Sequence, residues 1–171
     1  RPILNIAYTI LRIFYIALPF SLLNFIVING SSFKMTYDPK VLLGILFLIW
    51  INDTGAYLTG MSIGNHKMAP RISPKKSWEG FWGGIIFTIF VSWIIAAYFT
   101  EVSFKHWFVI GIISALMSVF GDLVESMFKR SVGVKDSGKF LPGHGGLLDR
   151  FDSPIMAIPV VYAYLEVMMI I

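Results

Sequence analysis

Acidic residues are few in this sequence, ten against fourteen Lys and Arg, and several fall into pairs. Asp122 and Glu125 stand three apart, on one face of any helix that carries them, and Ser126 follows Asp122 at i+4. Asp149 and Asp152 repeat the three-residue spacing. These two, with Asp122 from another segment, make an oxygen-rich set suited to Mg²⁺, which takes one or two carboxylates and completes its shell with phosphate oxygens. The stretch between the pairs holds Gly143, Gly145 and Gly146, whose bare backbone can approach and cradle a phosphate. Lys129, Arg130, Lys135 and Arg150 supply positive charge for a polyphosphate. His144 either donates to a phosphate or holds the turn. A second basic segment, Ser73-Pro74-Lys75-Lys76-Ser77-Trp78-Glu79-Gly80, could bind phosphate or a phospholipid head group, or could simply anchor the chain at a membrane surface. Glu125 taken alone also reads as an interfacial carboxylate facing water.

The elements that must position these residues are apolar. Hydrophobic residues make up 56% of the 171 and charged residues 14%, with a mean hydropathy of +0.73. A soluble domain carries about 25% charged residues. Five stretches, roughly 2–28, 41–60, 80–99, 104–128 and 153–171, each approach the ~20 residues a helix needs to cross a hydrocarbon core. Strand-like alternation is absent, so the chain is expected to be an all-α, polytopic transmembrane helix bundle of about five spans, forming a single domain over 1–171. Asp53 then lies about 10 Å inside the second span, where a charge is costly and usually marks a polar cavity. Glu166 falls toward the opposite end of the last span and reads as structural.

Charge fixes the expected orientation. Loops 61–79 and 129–152 fall on one side and carry Lys67, Arg71, Lys75, Lys76, Lys129, Arg130, Lys135, Lys139 and Arg150; the other side has Lys34, Lys40 and Lys105. The positive-inside rule puts both basic loops in the cytoplasm and the C-terminus outside. The net charge of +4 therefore reads as topology, with no nucleic-acid partner. No Cys is present, and His66, His106 and His144 lack metal-binding spacing. Gly60/Gly64 and Gly80/Gly84 have small-xxx-small spacing at helix ends, read as close packing; a homodimer stays open. The chain begins at Arg1 without a signal-peptide pattern and reads as part of a longer membrane protein.

The run Ser126-x-Phe128-Lys129-Arg130-x4-Lys135-Asp136-x-Gly138-x2-Leu141-Pro142-x-His144-Gly145-Gly146-Leu147-x-Asp149-Arg150-Phe151-Asp152 resembles the signature of phosphatidate cytidylyltransferases, without departure across its 27 residues. Asp53-x-x-Ala56-Tyr57-x-x-Gly60, the 73–80 segment and Gly121-Asp122-Leu123-x-Glu125-Ser126 are similar to the family as well, so the likeness runs from about 41 to the end. The resemblance implies transfer of CMP from CTP to phosphatidate, giving CDP-diacylglycerol and pyrophosphate. It also implies Mg²⁺, with K⁺ as a second ion, and a bacterial inner membrane with the site facing the cytoplasm. By motif, Asp122 and Asp149 would be the catalytic metal ligands with Asp152 close by. Lys129, Arg130, Lys135 and His144 would sit around phosphates. Asp53, Ser73, Lys75, Lys76, Ser126, Gly145, Gly146 and Arg150 complete the expected substrate site. The departure is in length, since family members carry further N-terminal helices.

Two other classes compete. A CTP-dependent lipid kinase, or a cytidylyltransferase for another lipid phosphate, would use the same residue types. A cation transporter would need polar residues through the whole bilayer depth, and the third and fifth stretches carry almost none. The topology is directly testable: cysteines introduced at Ser32 and Ser137 are expected to label from opposite faces of the membrane. Labelling of both from one face would overturn the five-span reading.

Overall fold

The long apolar stretches fold as helices, and their ends fall where the local chemistry stops them. In the computed structural model, which describes residues 2–31, 34–134, 138, 146, 148–168 and 170, the chain opens with α1 (Pro2–Arg12). A π-helical turn over Ile13–Ala17 leads directly into α2 (Leu18–Val27), with Pro19 in its first turn. α3 (Lys40–Ile63) starts where Asp38 Oδ1 accepts from the Lys40 N–H at 3.1 Å and ends at the extended Gly64. α4 (Trp78–Tyr98) is capped by Ser77, whose hydroxyl accepts from the Gly80 N–H at 3.2 Å. α5 (Phe104–Ser131) closes at Gly133, which takes φ = 72°, the left-handed conformation favoured after a helix C-terminus. α6 (Leu148–Val167) brings Asp149 into its first turn.

Four of these segments are long and apolar enough to cross a membrane: 2–27, Lys40–Ile63, Trp78–Tyr98 and Phe104–Ser131. The fifth expected span is a 20-residue helix, but it starts at Leu148 and so takes in Asp149, Arg150 and Asp152 as well as Glu166. That charge sets it apart from the other four. Two segments read as plain connections contain backbone pairing. β1 (Ile28–Ser31) runs antiparallel to β2 (Lys34–Tyr37), and β3 (Lys67–Ala69) pairs with β4 (Ser73–Ser77). Both hairpins are too short to show in the hydrophobic pattern.

The bundle is apolar outside. Trp50, Ile86, Phe90 and Trp93 are all more than half exposed on α3 and α4. In water such a surface would exceed what soluble proteins tolerate, whereas in lipid it is the solvated face. The chain is an integral membrane protein. Its interior is divided. At the end near Lys40 and Glu101, which form an ion pair, an apolar core of Ile45, Leu48, Ile110, Ile158 and Leu165 surrounds Trp107. The Trp107 indole N–H donates to the Phe99 carbonyl at 2.9 Å. Toward the other end the buried residues turn polar: Ser92, Thr88, Ser114, Ser118 and Asn52.

Small residues let the helices close up. At the crossing of α3 and α4, Gly60 and Gly80 face each other, and a Cβ on Gly80 would stand 2.7 Å from the Ala56 carbonyl oxygen. This is the close packing expected from the Gly60/Gly64 and Gly80/Gly84 spacing. Gly44 lies against the Trp107 ring with no room for a side chain. Gly44→Val is therefore expected to cost about 1–3 kcal/mol through overpacking, while Leu43→Val on the exposed face costs little. Thermal unfolding of the two variants in detergent checks the contrast.

Candidate active site

α3, α4, α5 and α6 converge with the β3–β4 hairpin around a cavity of about 470 Å³. Each element contributes for a local reason. The hairpin is fixed at its base because the Trp78 N–H donates to the His66 carbonyl at 2.9 Å, and Glu79 accepts from the His66 N–H and lies 2.6 Å from its Nδ1. β4 places Ser73, Lys75 and Lys76 on the cavity wall, with Pro74 tolerated because the two-stranded hairpin leaves it at an edge. Lys76 Nζ reaches Asp122 Oδ2 at 2.8 Å and the Val119 carbonyl at 3.3 Å. Asp53, from the middle of α3, accepts from the Ser118 hydroxyl at 2.8 Å.

The tightest electrostatic knot lies where α5 meets α6. Lys129 Nζ sits 2.5 Å from Glu125 Oε2 and 2.6 Å from Asp149 Oδ1, so one ammonium serves two carboxylates. Glu125 is 1% exposed, and its Oε1 has no hydrogen-bond partner among the described residues. The second oxygen of Asp149 accepts from the Gly146 N–H at 2.8 Å. The two i,i+3 pairs of the sequence are thereby joined through space. Asp122, Glu125 and Asp152 each present an oxygen, and these three atoms lie within 4.8 Å of one another.

The cavity brings together Asp53, Ser73, Lys75, Lys76, Asp122, Lys129, Asp149 and Asp152 from the residues expected on sequence. Ser126 lies one layer out, donating to Asp122 Oδ1 at 3.1 Å. Gly146 acts through its backbone on Asp149. Arg130 is exposed, with Nη1 on the Val134 carbonyl at 3.4 Å, and neither it nor Arg150 lines the cavity. Lys135, His144 and Gly145 lie outside the described residues. Glu166 is remote, 2.5 Å from the Tyr162 hydroxyl.

Sequence reasoning undervalues Glu125, whose i,i+4 spacing to Lys129 is the available signal. It also passes over Asn52 and Ser118. These are ordinary polar residues in or beside apolar helices, and only the packing shows that they face the cavity or its carboxylates.

The donor set is compatible with a hard cation. Three carboxylate oxygens converge, one buried carboxylate oxygen is unpaired, and the lysines present do not balance all of Asp53, Asp122, Glu125, Asp149 and Asp152. Magnesium or a similar ion fits such a site; zinc-type sulfur or imidazole donors are absent among the described residues of the cluster.

Comparison with known proteins gives the family. A model of the cytidylyltransferase family matches residues 2–168. The phosphatidate cytidylyltransferase of Staphylococcus aureus (strain COL) is 44% identical over 137 residues, covering 76% of this chain and 52% of that protein. That of Staphylococcus epidermidis (strain ATCC 12228 / FDA PCI 1200) is 43% identical over 138 residues, with the same coverage of 76% and 52%. That of Staphylococcus saprophyticus is 41% identical over 165 residues, covering 90% of this chain and 62% of the relative. The chain spans about half the length of the first two relatives. With the family match running almost from end to end, this chain belongs to the cytidylyltransferase family.

Proposed function

We propose that the chain carries the active site of a phosphatidate cytidylyltransferase, moving CMP from CTP to phosphatidate and releasing pyrophosphate. The observation that supports this most is the cavity itself, where carboxylates and three lysines, Lys75, Lys76 and Lys129, line one space at the polar end of an apolar bundle. The similarity to proteins named phosphatidate cytidylyltransferase supports the same reading. We further propose that this end faces the cytoplasm, as the distribution of Lys and Arg favours, in the inner membrane of a bacterium.

The reaction joins two polyanions, so its main barrier is charge. A phosphate oxygen of phosphatidate forms a bond to the α-phosphorus of CTP as the bond from that phosphorus to the bridging oxygen breaks. The nucleophile is already anionic and needs no strong base. Lys75 and Lys76 on β4, and Lys129 on α5, would hold phosphates and offset their repulsion. Asp122, Glu125 and Asp152 would hold Mg²⁺, which when bound neutralises phosphate charge and the leaving pyrophosphate. Asp149 shares the Lys129 ammonium with Glu125. It orients that ammonium, and it can join the cation's ligands when Lys129 turns toward a phosphate. Asp53, held by the Ser118 hydroxyl, adds to the polar lining. CTP would enter from water, while the lipid phosphate arrives sideways from the membrane.

The test is an assay of purified full-length protein in detergent with labelled CTP and phosphatidate. CDP-diacylglycerol and pyrophosphate are the expected products, formed with Mg²⁺ and lost in excess chelator. CDP with a newly phosphorylated lipid would establish a kinase instead. Asp149→Asn is expected to lower kcat at least about 10-fold, in the range seen for disturbed metal sites. Glu166→Gln, at the opposite end of α6, should retain near-normal kcat. An active Asp149→Asn, or an inactive but folded Glu166→Gln, would move the site elsewhere.

A further inference from the structure

The N-terminal helix is almost wholly exposed. α1 buries no residue, and across the π-helical turn Ile13–Ala17 every residue is exposed except Tyr15. A π turn inserts one extra residue and rotates the helix beyond it; such turns recur at functional sites. Here the turn carries one inward phenol. Its ring stands edge-on to Phe128 of α5, with centroids 5.5 Å apart at 86°. Its hydroxyl is buried and has no hydrogen-bond partner among the described residues. Phe128 follows Glu125 by three residues on α5 and adjoins Lys129, so the phenol packs on the turn of α5 that carries both.

A buried hydroxyl without a partner is costly, and so is a buried carboxylate oxygen. Tyr15 Oη and Glu125 Oε1 are both such atoms, and Glu125 shares its one lysine with Asp149. We propose that Tyr15 is a positioning residue for Glu125, its hydroxyl donating to that carboxylate when a bound triphosphate draws the Lys129 ammonium into the cavity. The inference rests on the nucleotide-binding reading of the cavity. Tyr15 does not line the cavity and so acts through Glu125. Without the phenol, Glu125 would lose its remaining donor when Lys129 turns away. Its carboxylate would then pull the ammonium back from the phosphates and blur the geometry of the carboxylate cluster.

The experiment is a double-mutant cycle in the full-length protein with Tyr15→Phe and Glu125→Gln. Phenylalanine keeps the ring contact with Phe128 and removes only the hydroxyl. Tyr15→Phe is expected to lower kcat about 10-fold, the scale of one hydrogen bond to a charged group, with KM for CTP within about twofold. In the Glu125→Gln background the same change should have little further effect. Unchanged kcat in Tyr15→Phe, or an equal fall in both backgrounds, overturns the proposal. Melting the four proteins with Mg²⁺ and CTP decides the point without turnover. Tyr15→Phe should lower the Tm only where Glu125 is intact, and equal shifts in both backgrounds also overturn it. Should the parent protein fail to transfer CMP, the reaction is misread, and the melting cycle still reports on Tyr15 and Glu125.

Discussion

The ammonium of Lys129, held between Glu125 and Asp149, is the contact on which the polar end of the bundle depends. Glu125 is almost fully buried, and a charge in that position is tolerable only when it is paired and hydrogen-bonded. Lys129 lies one turn along the same helix, so α5 brings its own counter-charge, and Asp149 then ties the start of α6 to it. The Lys76–Asp122 pair does the same between the β3–β4 hairpin and α5. Both pairs place cations where an anionic ligand can compete for them. The contacts that organise the cavity are therefore suited to rearrangement when a ligand enters.

Packing at the other end makes this arrangement tolerable. Trp107, Ile45, Leu48 and Leu165 form a conventional apolar core, with Gly44 thinned to admit the indole ring. In lipid, helices gain little from burying apolar surface and associate through close contact and interhelical hydrogen bonds. Gly60 against Gly80 and the Ser118–Asp53 bond supply both along α3. The bundle is thus close-packed where it is apolar, and it concentrates its titratable groups where α3, α4, α5 and α6 meet the hairpin.

The helical, membrane-spanning class is legible in the sequence because long apolar runs have few alternatives in a bilayer. The i,i+3 carboxylate pairs are legible too, since helical spacing alone puts them on one face. Their partners are less so. Spacing shows that Glu125 and Lys129 can meet, but burial of Glu125 depends on how α5 packs against α6. Tyr15 has no local signature, because its inward turn comes from a π-helical irregularity that composition does not encode. Both hairpins stay hidden because segments of three to five residues are too short to set up a period. An apolar run alone starts the last helix near residue 153, whereas Asp149 and its neighbours extend it back to Leu148.

Trp78 and Trp82 open α4 and are 50% and 59% exposed, beside the same hairpin that carries Lys75 and Lys76. Exposed indoles of this kind settle at the level of lipid head groups. On the reading proposed above, a cavity at that level samples CTP per unit volume and the lipid phosphate per unit area. For a lipid reactant the governing quantity is then its mole fraction in the leaflet, whatever its concentration in the bulk. Diluting the membrane with inert lipid would slow encounter as surely as diluting a solute, while adding more vesicles of the same composition would not hasten it. On that reading, the level set by the indoles makes flux through the cavity sensitive to membrane composition.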